Sequence, residues 1–253
     1  MLDAVVGYTG FVGSNVLPEH AEVACFNSKN FCEMHGREFR RIICAGASAA
    51  KWIANREPSE DLSKIRQLTE VLSTVSCEQL VLISTIDVYS KPIGVDESQT
   101  SDSGDLHPYG RNRLYLESFI QDRFHRHAVI RLPALFGPGL KKNALYDLIH
   151  DNNIDNLDSQ AQFQWYDIRW LRDHIELVVE AGIPLVNLCT PPIILAEIGQ
   201  RFFPEVVIPQ HSNKASAHYD LRTIHSSTFG GPQGYICDKA TVLNAMANYV
   251  TGL

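Results

Sequence analysis

The 253-residue chain has little of what would mark it for a membrane, a nucleic acid or an oxidising compartment. No apolar run approaches the roughly 20 residues needed to cross a bilayer, so no membrane partner is expected. The start, Met1-Leu-Asp-Ala-Val-Val-Gly7, lacks the basic stretch, apolar run and cleavage site of an export signal, and a cytoplasmic location is expected. With 22 Lys and Arg against 29 Asp and Glu, the formal charge of -7 argues against a nucleic-acid partner, although it leaves room for a local basic pocket. The six cysteines (Cys25, Cys32, Cys44, Cys77, Cys189, Cys237) form no Cys-x-x-Cys pair and no Cys/His spacing suited to zinc. They read as reduced thiols, Cys25 and Cys44 as small hydrophobes inside strands. His125 and His127 are close but have no third ligand nearby, so they read as a basic helix end and no metal site is expected.

What is present is an ordinary globular balance, 45% hydrophobic and 20% charged, with length for one large α/β domain or for one such domain with a small appendage. Short apolar runs recur at Ala4–Val6, Glu22–Phe26, Arg41–Ala45, Leu80–Ile83 and Ala128–Leu132. Near-continuous runs of this kind suit strands covered on both faces. Between them, a helix is expected from about Pro58 to Ser76, with Leu62, Ile65, Leu68 (or Thr69) and Leu72 at helical spacing. Strand and helix in alternation predict an α/β fold with a doubly wound parallel sheet of the Rossmann type over residues 1–137.

After Pro138 the alternation fails. Helices are expected over Lys141–Asp151, Ile168–Glu180, from Pro192 to about Phe203, and over Asp238–Tyr249. The short apolar strand Leu185–Leu188 lies in a segment, 183–190, expected to rejoin the sheet. Residues 138–253 otherwise read as a small discontinuous lobe on the substrate side.

Gly7-Tyr8-Thr9-Gly10-Phe11-Val12-Gly13 follows the first strand directly and opens a helix. Glycines there let a backbone approach a pyrophosphate closely, and helix N-terminal amides favour its charge. The candidate cofactor contacts are accordingly Gly7, Thr9, Gly10, Phe11, Val12 and Gly13. At the end of the second strand, Asn27, Ser28 and Lys29 stand where an NAD-preferring protein offers an Asp or Glu to the ribose. Hydroxyl, amide and ammonium groups suit a 2′-phosphate instead, which favours NADP(H) over NAD(H).

Two further segments complete a pattern: Leu82-Ile83-Ser84-Thr85-Ile86-Asp87-Val88-Tyr89, and Pro108-Tyr109-Gly110-Arg111-Asn112-Arg113. With the glycine loop, spaced three and three, and Arg131-Leu-Pro-Ala-Leu-Phe-Gly-Pro-Gly139, they resemble the extended short-chain dehydrogenase/reductases, the NAD-dependent epimerase/dehydratase family. The resemblance covers roughly the first 140 residues well and the remainder loosely. It implies Tyr109 as the acid/base and Thr85 as the group that hydrogen-bonds the same substrate oxygen. A free phenol ionises near pH 10, so work near neutrality needs that value lowered by about 2 to 3 units. The family places a Lys four residues after the Tyr, where it also bonds the nicotinamide ribose; here Arg113 stands at that position, on the same helix face as Tyr109.

The resemblance also places Ala45, Gly46 and Ala47 beside the adenosine and pyrophosphate, and Pro133 beside the nicotinamide. Ala134 replaces a frequent Asn that contacts the nucleotide of sugar-nucleotide substrates, which speaks against a nucleoside-diphosphate sugar. Asp87 matches the carboxylate base of the dehydratases, although an Asp at a strand end more often ties down a turn. Lys141 and Lys142, read at a helix start where they oppose the macrodipole, point to an anionic substrate. The polar-aromatic clusters around Trp165 and Arg222 are the other candidate substrate contacts.

The expected activity is an NAD(P)(H)-dependent oxidoreductase or epimerase acting on a hydroxyl or carbonyl of a polar small molecule, sugar derivatives among the candidates. Two alternatives stand beside it, a non-catalytic dinucleotide-binding sensor or partner module and a sugar-nucleotide dehydratase using Asp87. By resemblance alone, the helix from Pro108 to His125 is a surface through which a homodimer would form.

Overall fold

The computed structural model describes residues 1–18, 22–99, 103–211 and 216–252. Along the chain run β1 (Asp3–Val6), α1 (Phe11–Asn15), β2 (Val23–Phe26), β3 (Glu38–Cys44), α2 (Lys51–Arg56), α3 (Pro58–Ser73), β4 (Ser76–Thr85), α4 (Pro108–Arg123) and β5 (His127–Leu132). They are followed by β6 (Ala134–Phe136), α5 (Ala144–Ile149), β7 (Gln162–Asp167), α6 (Leu171–Glu180), β8 (Leu185–Asn187), β9 (Pro192–Ile194), α7 (Leu195–Phe202) and α8 (Lys239–Thr251). Among the described residues, no helix is long and apolar enough to cross a membrane.

The chain divides into two compact units. The first comprises Met1–Ser90, Gln99–Arg131 and Leu171–Val186. Its six-stranded sheet has the order β2-β1-β3-β4-β5-β8. Val6 lies opposite Phe26 on one side and Cys44 on the other, in parallel register, and Cys44 lies opposite Leu82. Ala4, Val5 and Val6 are all buried, as expected of a strand covered on both faces. α3 turns Ile65, Leu68, Thr69 and Leu72 inward against β-strand residues including Phe39, Ile42 and Leu80. Each fully buried Leu or Ile contributes about 1.5–3 kcal/mol. This is the doubly wound parallel sheet that the alternating runs predict. Strand order reverses at β1, between β2 and β3, and such sheets bind ligands beyond the carboxyl ends of the strands at that point.

The second unit comprises Lys91–Ser98, Leu132–Trp170 and Asn187–Leu253. A three-stranded sheet, β6-β7-β9, forms its framework: Ala134 pairs with Trp165 in parallel and Gln162 pairs with Ile194 antiparallel. α7 and α8 contribute Leu195, Ile198, Val242 and Met246 to its core with Phe136, Trp165 and Ile193. Glu97 fastens three segments by accepting hydrogen bonds from the Asn187 N–H, the Thr223 hydroxyl and the Ile224 N–H.

Several boundaries differ from expectation for local reasons. The helix expected from Lys141 begins at Ala144, because Asn143 is its N-cap and accepts from the Tyr146 N–H. Lys141 and Lys142 therefore precede the cap, outside the helix whose dipole they were expected to oppose. The helix expected from Ile168 begins at Leu171, after a 3-10 turn over Ile168–Trp170. β9 takes the first residues of the helix expected after Pro191 and Pro192.

Candidate functional site

The glycine turn sits at the carboxyl end of β1. Gly7 has a φ of +85°, and a Cβ there would lie 2.3 Å from the Ala45 carbonyl oxygen. No side chain fits, so β1 and the chain leaving β3 can close on each other only around glycine. At Gly13 a Cβ would strike the Gly7 carbonyl, whereas at Gly10 it would meet nothing nearer than that oxygen, 3.3 Å away. The turn is thus packed on its inner side and solvent-exposed at Gly10, where a Cβ would still crowd the Gly7 oxygen, a shape that suits a pyrophosphate resting on backbone. Thr9 is exposed, and Phe11 and Val12 are half-buried in α1. α1 itself is only five residues long.

At the end of β2 the Asn27 side-chain oxygen accepts from the Lys29 N–H, and the Asn30 side chain accepts from the Asn27 N–H. The turn is fixed by its own amides and leaves Ser28 and Lys29 exposed. After β3, Ala45 donates its N–H to the Val6 carbonyl, Gly46 is exposed and Ala47 is half-buried.

Thr85 ends β4 and Tyr109 opens α4, and the Thr85 side chain lies near enough to the Tyr109 phenol to favour its ionised form. Thr85 also accepts from the Asp87 N–H, which shapes the 3-10 turn that follows the strand. Three contacts fix the backbone of Tyr109 and Gly110. Its N–H donates to the Asn55 side chain of α2 at 2.9 Å, and the His107 imidazole accepts from the Gly110 N–H at 3.1 Å. Gly110 itself packs so tightly that a Cβ would lie 2.2 Å from the Asp87 carbonyl oxygen. Pro108, at the first helical position, fits there because its missing N–H would be unbonded anyway.

Arg113 lies over the Tyr109 ring, its guanidinium carbon 4.4 Å from the ring centroid. Its fork is engaged elsewhere. Both terminal nitrogens bond the Asp61 carboxylate of α3, at 2.8 and 3.0 Å, and one also donates to the Ser48 carbonyl. Arg113 and Asp61 are 3% and 8% exposed, and Asn112 completes the set at 2.8 Å from Asp61. Burial alone would raise the Asp61 carboxyl, but the hydrogen bonds from Arg113 and Asn112 hold it below its usual value. Arg113 lowers the phenol as a neighbouring cation should, but other effects at Tyr109 outweigh it. Burial pushes the phenol up and Asp87 adds to it, while Arg113, Thr85 and Lys51 pull it back, and the net direction is upward.

Four groups near Tyr109 were not legible beforehand: Lys51, Asn55, Asp61 and His107. Lys51 opens α2 and pairs with Asp87 at 2.7 Å; His107 Nε2 lies 4.0 Å from the same carboxylate oxygen. Asp87 is therefore an ion-pair partner as well as a turn residue. A further buried network underlies β4. Glu117 accepts two nitrogens of Arg131, the shortest contact being 2.6 Å, and also the Ser84 hydroxyl, while Arg131 donates to the Tyr89 hydroxyl at 2.7 Å.

The remaining candidates lie in the second unit. Trp165 is 1% exposed, a core residue of β7, so its side chain offers almost no surface for contact with a substrate. Arg222 pairs with Asp220 at 2.8 Å and lies 4.2 Å from the Tyr235 ring centroid. Lys141 and Lys142 are exposed, and Pro133, which follows β5 in the chain, is buried.

By sequence, the chain matches no known family profile and no curated protein. By structure it resembles several solved proteins along nearly their whole length. One is MoeE5, in complex with UDP-glucose and NAD, at 16% identity and a TM-score of 0.73, with 99% of this chain and 98% of that chain covered. Another is the UDP-N-acetylglucosamine 4-epimerase of Methanobrevibacter ruminantium, in complex with UDP-N-acetylmuramic acid, at 13% identity and a TM-score of 0.74, covering 99% and 97%. A third is the dTDP-4-dehydrorhamnose reductase of Bacillus anthracis, in complex with NADP, at 15% identity and a TM-score of 0.74, covering 100% and 99%. At such identities the likeness speaks for architecture, and the architecture of this chain is the Rossmann-type fold of these epimerases and reductases.

Proposed function

We propose that the chain is an NADP(H)-dependent oxidoreductase or epimerase that acts on a hydroxyl or carbonyl of a polar, sugar-derived small molecule. The observation that carries this reading is the Thr85 side chain beside the Tyr109 phenol at the carboxyl end of β4, in the same unit as the glycine turn. Gly7, Thr9, Gly10, Phe11, Val12 and Gly13 would hold the pyrophosphate, Ala45, Gly46 and Ala47 the adenosine side, and Pro133 the nicotinamide. The dinucleotide, when bound, supplies the hydride acceptor or donor. Tyr109 donates its phenol proton to the carbonyl oxygen in reduction or, as phenolate, takes the proton from the substrate hydroxyl as the carbinol is oxidised, and Thr85 orients that oxygen. Arg113, bound to Asp61, acts by fixing the Tyr109 ring. The test is a screen of polar carbonyl compounds followed by nicotinamide absorbance; cofactor binding without turnover across a broad panel overturns the enzymatic reading.

One observation favours a second reading, a dinucleotide-binding partner module without chemistry: the cation beside the phenol is committed to a carboxylate. The same screen separates the two. The dehydratase reading is less well supported, because Asp87 is already paired with Lys51.

Cofactor choice has its own test. Asn27, Ser28 and Lys29 would hold the 2′-phosphate, so NADPH should bind more tightly than NADH in calorimetry. Lys29→Ala should weaken NADPH by about tenfold, the loss of one charge-assisted contact, and leave NADH unchanged. Tighter binding of NADH to the unaltered protein would remove the NADP(H) preference.

A further inference from the structure

We propose, on the reading that Tyr109 is the proton-transfer group, that His107 is its positioning residue: a cap that holds the start of α4 while the imidazole is neutral and releases it when the ring takes up a proton. The first amides of a helix find no acceptor within it. In α4 the first residue is Pro108, which has no N–H, and the Tyr109 N–H goes to the Asn55 side chain. From Arg111 onward the helix serves itself, the His107 carbonyl accepting first. Between them stands Gly110, whose N–H reaches His107 Nδ1 at 3.1 Å. His107 is extended, with φ −63° and ψ 156°, as suits a cap residue that precedes a proline. Helix caps are usually Ser, Thr, Asp or Asn. An imidazole differs from these because it exchanges its accepting lone pair for a proton close to neutral pH.

Nδ1 accepts only with its lone pair free, so the neutral ring carries its proton on Nε2, 4.0 Å from Asp87 Oδ1. The same ring stacks on Tyr109, with centroids 6.2 Å apart and planes 27° apart. One side chain thus touches both the helix amide and the aromatic ring beside it. The charged and titratable groups that bear on the imidazole are Asp87 from the turn after β4, Lys51 from α2 and Tyr109 from α4 itself. Asp61 of α3 is taken up by Arg113 and Asn112, and Asp105, on the 3-10 turn before α4, is exposed. Burial and Lys51 hold the imidazole below its usual pKa, with Asp87 opposing them. The positive end of the helix dipole acts in the same direction as burial. The cap is therefore in place above the ordinary imidazole pKa and is lost as the pH falls through the lower value that the site sets. Protonation turns Nδ1 into a donor facing the Gly110 donor, while the charge draws the ring toward Asp87 and off the phenol.

The test uses the free protein and two NMR measurements. In nitrogen-15 spectra of the ten histidines, the His107 signals are those missing from His107→Asn, and at about pH 8 they should show Nδ1 bare and Nε2 protonated. Hydrogen exchange at Gly110 is read as protection relative to an unstructured peptide at the same pH. Protection should fall by about fivefold as the imidazole titrates, the effect of losing one cap. His107→Asn supplies a cap that does not titrate, so protection should stay high over the same range. His107→Ala supplies none, and protection should be about fivefold lower throughout. Circular dichroism defines the pH range in which each protein is folded. A proton on Nδ1 at about pH 8, an imidazole that stays neutral to the edge of that range, or a loss of protection shared by His107→Asn overturns the proposal. Because neither measurement needs substrate or turnover, the outcome is separate from that of the carbonyl screen. A cap that releases as stated in a protein without turnover would count against the enzymatic reading alone.

Discussion

Tyr109→Phe should lower turnover of whatever carbonyl compound the protein accepts by about 10²- to 10⁴-fold, the usual contribution of a positioned acid/base. NADPH affinity should change by less than about threefold, since the phenol oxygen moves the substrate proton and the glycine turn holds the dinucleotide. The substitution separates chemistry from structure cleanly. A Phe ring occupies the same space beneath Arg113, and the helix start is fixed through the Tyr109 and Gly110 backbones, which the change leaves alone. A hydroxyl whose proton affinity is already raised by burial gives up no charge on removal. Steady-state rates with calorimetric cofactor titration check both halves. Turnover within about threefold of the parent protein would assign the proton to another group.

Glu117→Ala should cost about 3–5 kcal/mol, read as a fall in the denaturant midpoint. Glu117 is 1% exposed and Arg131 is 4% exposed, so truncation strands a guanidinium in the interior with only the Tyr89 hydroxyl against it. Attraction between two buried charges is largely offset by the loss of water around them, whereas one charge left alone has nothing to offset it. The double replacement Glu117→Leu with Arg131→Met should therefore recover much of the loss. The network also bears on chemistry, because Glu117 holds the hydroxyl of Ser84, the neighbour of Thr85. A loss below about 1 kcal/mol in the single variant would show that water reaches the pair.

The first unit was readable in advance because strands such as β1 and β5 are buried on both faces and so become apolar runs: Ala4–Val6 and Ala128–Leu132 announce themselves without reference to partners. The second unit was not. β6 and β9 are three residues each, too short for any period, and β7, Gln162-Phe-Gln-Trp-Tyr-Asp167, alternates only weakly, since Gln164 is buried and satisfied by the Thr190 and Leu221 carbonyls. The helix start at Ala144 had a visible signal in Asn143, a favoured N-cap, which the apolar pattern around it obscured. Thr85, Tyr109 and the glycine turn could be named because each sits at a strand or helix end that its neighbours define. Lys51 and Asp61 could not, because their partners lie 36 and 52 residues away. An ion pair across such distances leaves no mark on local sequence, so Arg113 read as a free cation when it is a bound one.

The union of Arg113 with Asp61 also constrains how this lineage can change. A lysine at position 113 would offer one ammonium where the carboxylate now meets a planar fork, and the Ser48 carbonyl would lose its donor. Either half altered alone passes through a less stable intermediate, so the two positions should be inherited as a couple. Among descendants and cousins of this chain, a cation at 113 should travel with an acid at 61, and loss of either charge with loss of the other.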